Sequence, residues 1–121
     1  MSESLKTVIV VRRDLELPVG KWIAQSVHAA MRTLNTETLT TIALSELYEH
    51  IKPPICIVCY VNSEAQLINL HEKAKSSGVP CGLQRDAGHN FVEPGTITVL
   101  CIGPAPQSKI DPITKKLQLL K

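Results

Sequence analysis

Gly-Lys-Trp-Ile-Ala-Gln-Ser-Val-His-Ala-Ala-Met-Arg-Thr-Leu, residues 20–34, is the stretch around which the rest of this chain is organised. At about 100° per residue on a helix, these side chains separate into an apolar face and a polar face. We expect the apolar face to be buried against a sheet. It consists of Ile23, Val27, Ala30, Met31 and Leu34.

The polar face of the same helix carries two cations, an amide and an imidazole, with no carboxylate. An ordinary solvated face mixes both signs of charge at helical spacing, so this one is suited instead to anions or to a polarised carbonyl group. A helix that merely carries polar residues on its outer side is the alternative. The polar face consists of Lys21, Gln25, His28 and Arg32.

The length and composition indicate one soluble domain. The 121 residues form a single domain over 1–121, in which we expect 1–6 to be a flexible tail. The net charge of +2 permits a local basic patch, and the 3% of aromatic residues are too few for ring stacking to dominate ligand binding. Because no transmembrane-length apolar run or signal-peptide pattern occurs, we expect a cytoplasmic protein with no membrane partner, and mitochondrial association stays open.

The segments around this helix alternate between strand and helix patterns. The β-branched run 7–13 predicts a central strand, so the helix begins at the carboxyl end of a strand, where open α/β sheets bind ligands. Helical spacing predicts further helices over 38–50 and, from a capping sequence that begins at Ser63, over 63–76. Further strands are predicted over 55–61, 81–85 and 96–102, the last two as antiparallel partners.

The remaining segments are turns and short elements. Pro94 and Gly95 occupy the central positions of a type II turn, and the Gly-Pro-Ala-Pro sequence at 103–106 is expected to end the last strand. A short helical turn over 110–115 and an apolar tail complete the chain. This order predicts an α/β fold, a compact three-layer sandwich in which a mixed four-stranded sheet has helices on both faces.

The four cysteines are predicted to be free, buried and structural. Cys56 and Cys59 have the C-x-x-C spacing of zinc and redox sites, but they lie in a predicted strand. Residues three apart on a strand point to opposite faces, so these two thiols cannot bind one metal ion. Cys81 and Cys101 also lie in predicted strands, and we expect no metal site.

Residue chemistry alone identifies no activated serine, no phosphate-binding P-loop and no metal-ligand spacing. Polar residues concentrate instead on the helix face described above and in the loop 86–90, which follows a predicted strand. If the sheet brings these strand ends together, Asp86 approaches Lys21 at the start of the helix. Each of these two segments is, by itself, more often an ordinary turn or helix surface than a site.

Several short motifs, taken in order along the chain, closely resemble the type 2 peptidyl-tRNA hydrolases, the archaeal and eukaryotic family. The resemblance extends from about Thr7 to the C-terminus. The motifs are Val-Val-Arg-Arg-Asp-Leu at 10–15, Gly-Lys-x-x-Ala-Gln-x-x-His-Ala-Ala at 20–30, Asp-Ala-Gly at 86–88, Pro-Gly-Thr at 94–96 and Ile-Gly-Pro-Ala-Pro at 102–106.

The resemblance implies a reaction and a set of partners. It implies a mixed four-stranded sheet, often in a homodimer, and hydrolysis of the ester that joins a peptide to the 3′ ribose of tRNA. The substrate is then peptidyl-tRNA, and no metal or cofactor is required. The alternative is a catalytically weakened member of the family that acts as a binding module for tRNA or for a protein.

The resemblance also implies roles for individual residues. The family's catalytic lysine and glutamine match Lys21 and Gln25, and its loop aspartate matches Asp86. Its strand-end arginine corresponds to Arg12 and its helical histidine to His28, and we assign both to substrate binding. From the polar face and the loop, we further assign Arg32 and His89 to substrate binding and Asn90 to catalysis.

Three departures from the family pattern bear on activity. Asn90 stands where the family has a threonine linked to activity, and Val27 replaces a serine. The approach to Lys21 reads Pro-Val-Gly and has lost one cation. These departures motivate the alternative of a weakened enzyme.

A mechanism for these residues uses water as the nucleophile. Asp86 orients or deprotonates the water while Lys21 and Gln25 stabilise the developing oxyanion. In an equally tenable division of roles, Lys21 holds a phosphate of the tRNA end and Asp86 keeps it in place. The sequence leaves both divisions open.

Overall fold

The computed structural model describes residues 4–34, 55–87 and 92–121. These ranges contain five strands and three helices, and the predicted helix over 38–50 lies outside them. In chain order the elements are β1 (Leu5–Arg12), α1 (Val19–Leu34), β2 (Ile55–Val61), α2 (Glu64–Ser76), β3 (Cys81–Arg85), β4 (Ile97–Pro106), α3 (Gln107–Thr114) and β5 (Gln118–Leu119).

The strands form one mixed sheet in the order β3-β4-β1-β2-β5. β1 and β2 are parallel, and β4 runs antiparallel to both β1 and β3. The carboxyl ends of β1, β2 and β3 therefore meet at one edge, which we call the carboxyl edge of the sheet. The α/β class is confirmed, and the sheet has five strands instead of four because Gln118–Leu119 of the predicted apolar tail pairs with β2.

Helices cover both faces of the sheet, as predicted. On the α1 face, a smaller apolar cluster consists of Ile9, Val11, Ala29, Val99 and Cys101. On the opposite face, α2 and α3 pack on a larger cluster that includes Val8, Val10, Leu67, Leu100 and Ile110. In the part of the chain that the structure describes, no helix is both long enough and apolar enough to cross a membrane.

The orientation predicted for α1 is wrong. Ile23, Val27 and Met31, expected in the core, are each more than half exposed, whereas Gln25 and Thr33 are buried. Ala30 is partly buried against the smaller cluster, and the side chain of Leu34 is outside the described set.

The reason for this orientation is a close approach of α1 to β3 at Gly82. A Cβ atom there would lie 2.7 Å from the backbone nitrogen of Thr33 and closer still to the Ala29 carbonyl oxygen. The helix backbone can come this near only through small residues, so Ala29 faces the sheet and the bulky apolar side chains point away.

The end predicted for the last strand is also wrong, because β4 continues through the Gly-Pro-Ala-Pro sequence and Pro106 pairs with Leu5. Gly103 has a φ of 102°, and a Cβ atom at this position would collide with the Lys6 carbonyl oxygen. A shift in register between Lys6 and Val8 accommodates the irregularity in the partner strand. The strand thus continues past Pro104 and Pro106 because Gly103 adopts a positive φ, a conformation that other residues rarely adopt.

Several local predictions are confirmed. The Ser63 side chain accepts a hydrogen bond from the backbone N–H of Gln66 and caps α2. Gly95 has a φ of 85°, and Thr96 N–H donates to the Glu93 carbonyl, as in a type II turn.

The cysteines differ in exposure, which predicts a difference in reactivity. Cys56 is exposed and Cys59 is buried, so the two lie on opposite faces as expected, but Cys56 is not the buried residue we predicted.

Burial raises the pKa of the Cys101 thiol to about 11, so at pH 8 only about one thiol in a thousand is ionised. We expect iodoacetamide to alkylate Cys56 in the folded protein and Cys101 only after unfolding, as measured by peptide mass spectrometry. Equal labelling rates in the folded protein would contradict this assignment.

Candidate active site

A buried ion pair lies at the carboxyl edge of the sheet, where α1 begins. The Lys21 Nζ atom is 2.9 Å from Asp86 Oδ2, and the Asp86 side chain is fully buried whereas 22% of the Lys21 side chain is exposed. The backbone N–H of Asp86 donates to the Thr96 carbonyl, and the Asp86 carbonyl accepts from Gly95 N–H. Asp86 is therefore fixed by its main chain, and its carboxylate holds the lysine in one place.

The exposures of this pair decide which member can meet a substrate. An ammonium group has three N–H donors, and the ion pair with Asp86 occupies only one direction around the nitrogen. The Lys21 side chain is partly exposed, whereas the Asp86 side chain is fully buried. Lys21 is therefore the group that can touch a ligand, and Asp86 positions it.

Gln25, one helical turn after Lys21, presents a second donor. Its side-chain oxygen accepts a hydrogen bond from the Thr98 hydroxyl at 2.7 Å, and both residues are buried. Because that oxygen is used, the group left to bind a ligand is the NH₂. No hydrogen bond from this NH₂ is made to residues in the described ranges. Lys21 and Gln25 thus offer a charged and a neutral donor from the same side of α1.

Thr98 contacts a residue of the candidate site and was not among the residues predicted from the sequence. In the pairing of β3 with β4, Gln84 lies opposite Val99 and Arg85 opposite Ile97, so Thr98 is the extra residue of a bulge. The bulge turns its hydroxyl toward α1, where it reaches Gln25. The available signal was a hydroxyl residue in an otherwise apolar strand, but the bulge that aims it was not visible in the sequence.

Arg12 lies at the end of β1, and its guanidinium is engaged within the fold. It donates to Asp14 through Nε and Nη2, and to the Ile97 carbonyl through Nη1. Its side chain is 11% exposed. Arg12 thus links β1 to β4 and to the loop after β1 through hydrogen bonds of its side chain.

His28 and Arg32 continue the polar face of α1 along the edge strand β3 and are exposed. The Arg32 Nε–H donates to the Gln84 side-chain oxygen at 2.8 Å, which leaves the two terminal NH₂ groups of the guanidinium toward solvent. These residues, with Met31 and Gln84, line an open cleft of about 380 Å³. The structure therefore brings Lys21, Gln25 and Asp86 together and places His28 and Arg32 beside them along the helix.

Two of the predicted site residues, His89 and Asn90, fall outside the described residues. Val27, noted above as a departure from the resemblance, is about half exposed on the side of α1 that faces away from the sheet.

Comparisons with known proteins identify the family. The profile of the family described as Peptidyl-tRNA hydrolase PTH2 matches residues 5–120. A peptidyl-tRNA hydrolase of Methanocaldococcus jannaschii is 44% identical over 118 residues, which cover 96% of this chain and 100% of the relative. The corresponding protein of Methanopyrus kandleri is 39% identical over 116 residues, covering 96% and 98%.

A solved structure adds a likeness of fold. A protein of unknown function from Agrobacterium tumefaciens superimposes with a TM-score of 0.67 at 13% identity, and the match covers 98% of each chain. At this identity the likeness concerns the fold alone. Since the family profile spans nearly the whole chain and the archaeal relatives agree with it, the chain belongs to the type 2 peptidyl-tRNA hydrolase family.

Proposed function

We propose that this protein hydrolyses the ester bond between a peptide and the 3′ ribose of tRNA. The observation that carries the proposal is the donor pair of Lys21 and Gln25, which Asp86 and Thr98 hold in place at the carboxyl edge of the sheet. Two fixed donors on one side of a helix suit a carbonyl oxygen that becomes negatively charged during the reaction. Membership of the family supplies the substrate class.

The reaction proceeds by attack of water on the ester carbonyl carbon. The carbonyl oxygen then becomes an oxyanion, which accepts hydrogen bonds from the Lys21 ammonium and the Gln25 NH₂. When the intermediate collapses, the bond to the 3′ oxygen breaks, and that oxygen takes the proton released by the water. The products are a tRNA with a free 3′ hydroxyl group and a peptide with a free carboxyl group, which releases its proton to solvent.

Of the two roles left open for Asp86, its burial favours the positioning role. A fully buried carboxylate paired with Lys21 is not accessible to the attacking water in this conformation. Asp86 acts through Lys21 by holding the ammonium group in one position. The neutral amide of Gln25 beside this ammonium suits an oxyanion better than it suits a phosphate. We assign the binding of a tRNA phosphate to Arg32 and His28, which lie farther along α1.

A turnover assay tests the proposal. The purified protein is incubated with N-acetyl-aminoacyl-tRNA, and the release of N-acetyl amino acid is followed. We expect multiple turnovers, with tRNA carrying a free 3′ hydroxyl as the second product. Binding of the substrate without release above the buffer control would favour the binding-module alternative.

The Thr98 hydroxyl gives a prediction about Gln25. Thr98→Val keeps the shape of the side chain but leaves the Gln25 amide free to rotate, so we expect kcat to fall roughly tenfold with little change in KM. Thr98→Ser restores the hydroxyl and should restore kcat. A rise in KM, or a fall in kcat that serine does not rescue, would assign Thr98 to packing instead.

We also propose a homodimer in the cytoplasm. The exposed apolar side chains of α1 support self-association, because contiguous exposed apolar surface is typical of protein interfaces. They are Val19, Ile23, Val27 and Met31. Sedimentation at micromolar concentration should give twice the chain mass of 13.3 kDa, and a monomer mass would contradict the proposal.

A further inference from the structure

A second polar cavity lies on the opposite face of the sheet, between α2 and the end of α3. It has a volume of about 340 Å³, and its described lining includes three lysines and two amides but no acidic residue. The lysines are Lys73, Lys115 and Lys116, and the amides are Gln66 and Asn69. None of these lysines has an ion-pair partner within the described ranges, whereas the nearby Lys75 pairs with Glu72.

The chemistry of this cavity favours a phosphate group. The Gln66 side-chain oxygen accepts from the Asn62 backbone N–H, so its NH₂ is the group left to donate. Three ammonium groups and an amide donor form a surface that accepts an anion from several sides. Among the described residues no aromatic side chain lines the cavity, so this lining offers no stacking surface for a base, and its apolar side chains can pack against a sugar.

The cavity opens at the same carboxyl edge as the Lys21–Asp86 pair. Val61, which lines it, is the last residue of β2, and Lys116 lies two residues before Gln118, which pairs with Tyr60 of β2. Three strand spacings separate β2 from β3, which corresponds to about 14 Å. This is the separation along the sheet only. Because the cavity lies on the face opposite α1, the path between the two places is longer, and an extended strand of several nucleotides is needed to span it.

An exposed arginine at the end of β1 lies between β3, which Asp86 follows, and β2, whose last residue lines the lysine cavity. The backbone N–H of Arg13 donates to the Val61 carbonyl, and its guanidinium lies 3.7 Å from the centroid of the Tyr60 ring. The contact with Tyr60 thus fixes the positive charge of Arg13 at the end of β1, between the strands that lead to the ion pair and to the lysine cavity.

We propose that the lysine cavity binds a backbone phosphate of the acceptor arm of the tRNA whose 3′ end lies at Lys21. This inference rests on the proposed function, because it places a second contact of the same substrate. The acceptor strand crosses the carboxyl edge from the α1 face, passes Arg13 and reaches the face that α2 and α3 cover.

The test compares two sets of three substitutions. The cavity variant carries Lys73→Gln, Lys115→Gln and Lys116→Gln. The control variant carries Lys75→Gln, Lys109→Gln and Lys121→Gln, which remove the same charge from exposed lysines of α2, α3 and the C-terminus that do not line the cavity. Melting curves establish that both variants are folded.

The first readout is equilibrium binding of deacylated tRNA, which does not depend on turnover. We expect the cavity variant to bind about tenfold more weakly and the slope of log affinity against log salt to fall by about one. The control variant should stay within twofold of the unaltered protein. Equal losses in both variants, or no loss in the cavity variant, would overturn the proposal.

The second readout separates this inference from the proposed function. We expect the cavity variant to have a higher KM for N-acetyl-aminoacyl-tRNA, with unchanged kinetics on N-acetyl-aminoacyl-adenosine, which has no upstream phosphate. A parallel loss on the adenosine substrate would overturn the phosphate assignment. If the unaltered protein cleaves neither substrate, the proposed function fails, and the tRNA binding measurement still decides on the cavity.

A free phosphate ion shares the chemistry of the backbone phosphate. If the cavity takes the free ion instead, inorganic phosphate shifts the NMR signals of Lys115 and Lys116 while the tRNA affinity of the cavity variant stays normal. That combination would overturn the proposal.

Discussion

Replacing Lys21 by methionine is expected to lower kcat for peptidyl-tRNA by about 10²–10³. This is the usual loss when one donor to a developing oxyanion is removed. Methionine keeps the apolar stem and is a good helix former, so α1 should still begin at the same residue. The measurement is single-turnover hydrolysis of N-acetyl-aminoacyl-tRNA at saturating enzyme, which removes any difference in substrate affinity.

The same substitution should also destabilise the fold. It leaves the buried Asp86 carboxylate without its lysine partner, and removing one member of a buried pair costs about 3 kcal/mol of unfolding free energy. We therefore compare it with the double variant Lys21→Met/Asp86→Asn, in which no charge is left at the pair. We expect the double variant to recover much of the stability in urea unfolding and none of the turnover.

The two outcomes that would contradict this role are distinct. A Lys21→Met protein with normal turnover would remove Lys21 from the site. A double variant that regains turnover along with stability would show that the single substitution acted only by destabilising the fold.

Replacing Gln25 by methionine is expected to lower kcat by about 10², with a change in KM of less than about threefold. Methionine matches the length of glutamine but lacks the NH₂ donor, so the loss falls on the oxyanion and not on the ground state. The control is Ser26→Ala, since the neighbouring hydroxyl donates to the Trp22 carbonyl within the helix and does not approach Thr98. We expect this control to stay within a factor of about two.

A rise in KM with unchanged kcat would contradict the assignment of Gln25. It would mean that the amide binds substrate and transition state equally. Because Thr98 loses its acceptor in Gln25→Met, urea unfolding must accompany the kinetics. The Thr98 hydroxyl is 3.4 Å from the Gln84 carbonyl, which provides a second acceptor and limits the loss of stability.

The approach of Asp86 to Lys21 could be predicted because it depends on chain topology. Strand patterns located the ends of the first and third strands, and parallel strands of one sheet end at the same edge. The 2.9 Å contact follows from that arrangement. The roles of Lys21, Gln25 and Asp86 in the reaction stay predictions for the experiments above.

The orientation of α1 could not be predicted from its own residues. The apolar side chains form the more continuous face, and a rule based on periodicity alone buries them. The orientation is decided by Gly82, about fifty residues later in the chain, because the helix can approach this glycine only with the face that carries small side chains. The same rotation turns Gln25 inward, toward a hydroxyl aimed by a bulge that no sequence pattern indicated.

The contact at Gly82 also bears on how well defined the site is. Most helices rest on a sheet through layers of side chains, each of which can change rotamer and let the helix shift. Here the main chain of the helix lies against the main chain of β3, so there is no rotamer to change at that point. Lys21 and Gln25 belong to that helix, and Asp86 directly follows that strand. The separations between their main chains are therefore set by two backbones in direct contact, and we expect these separations to vary little with temperature or with substitutions on the outer side of α1.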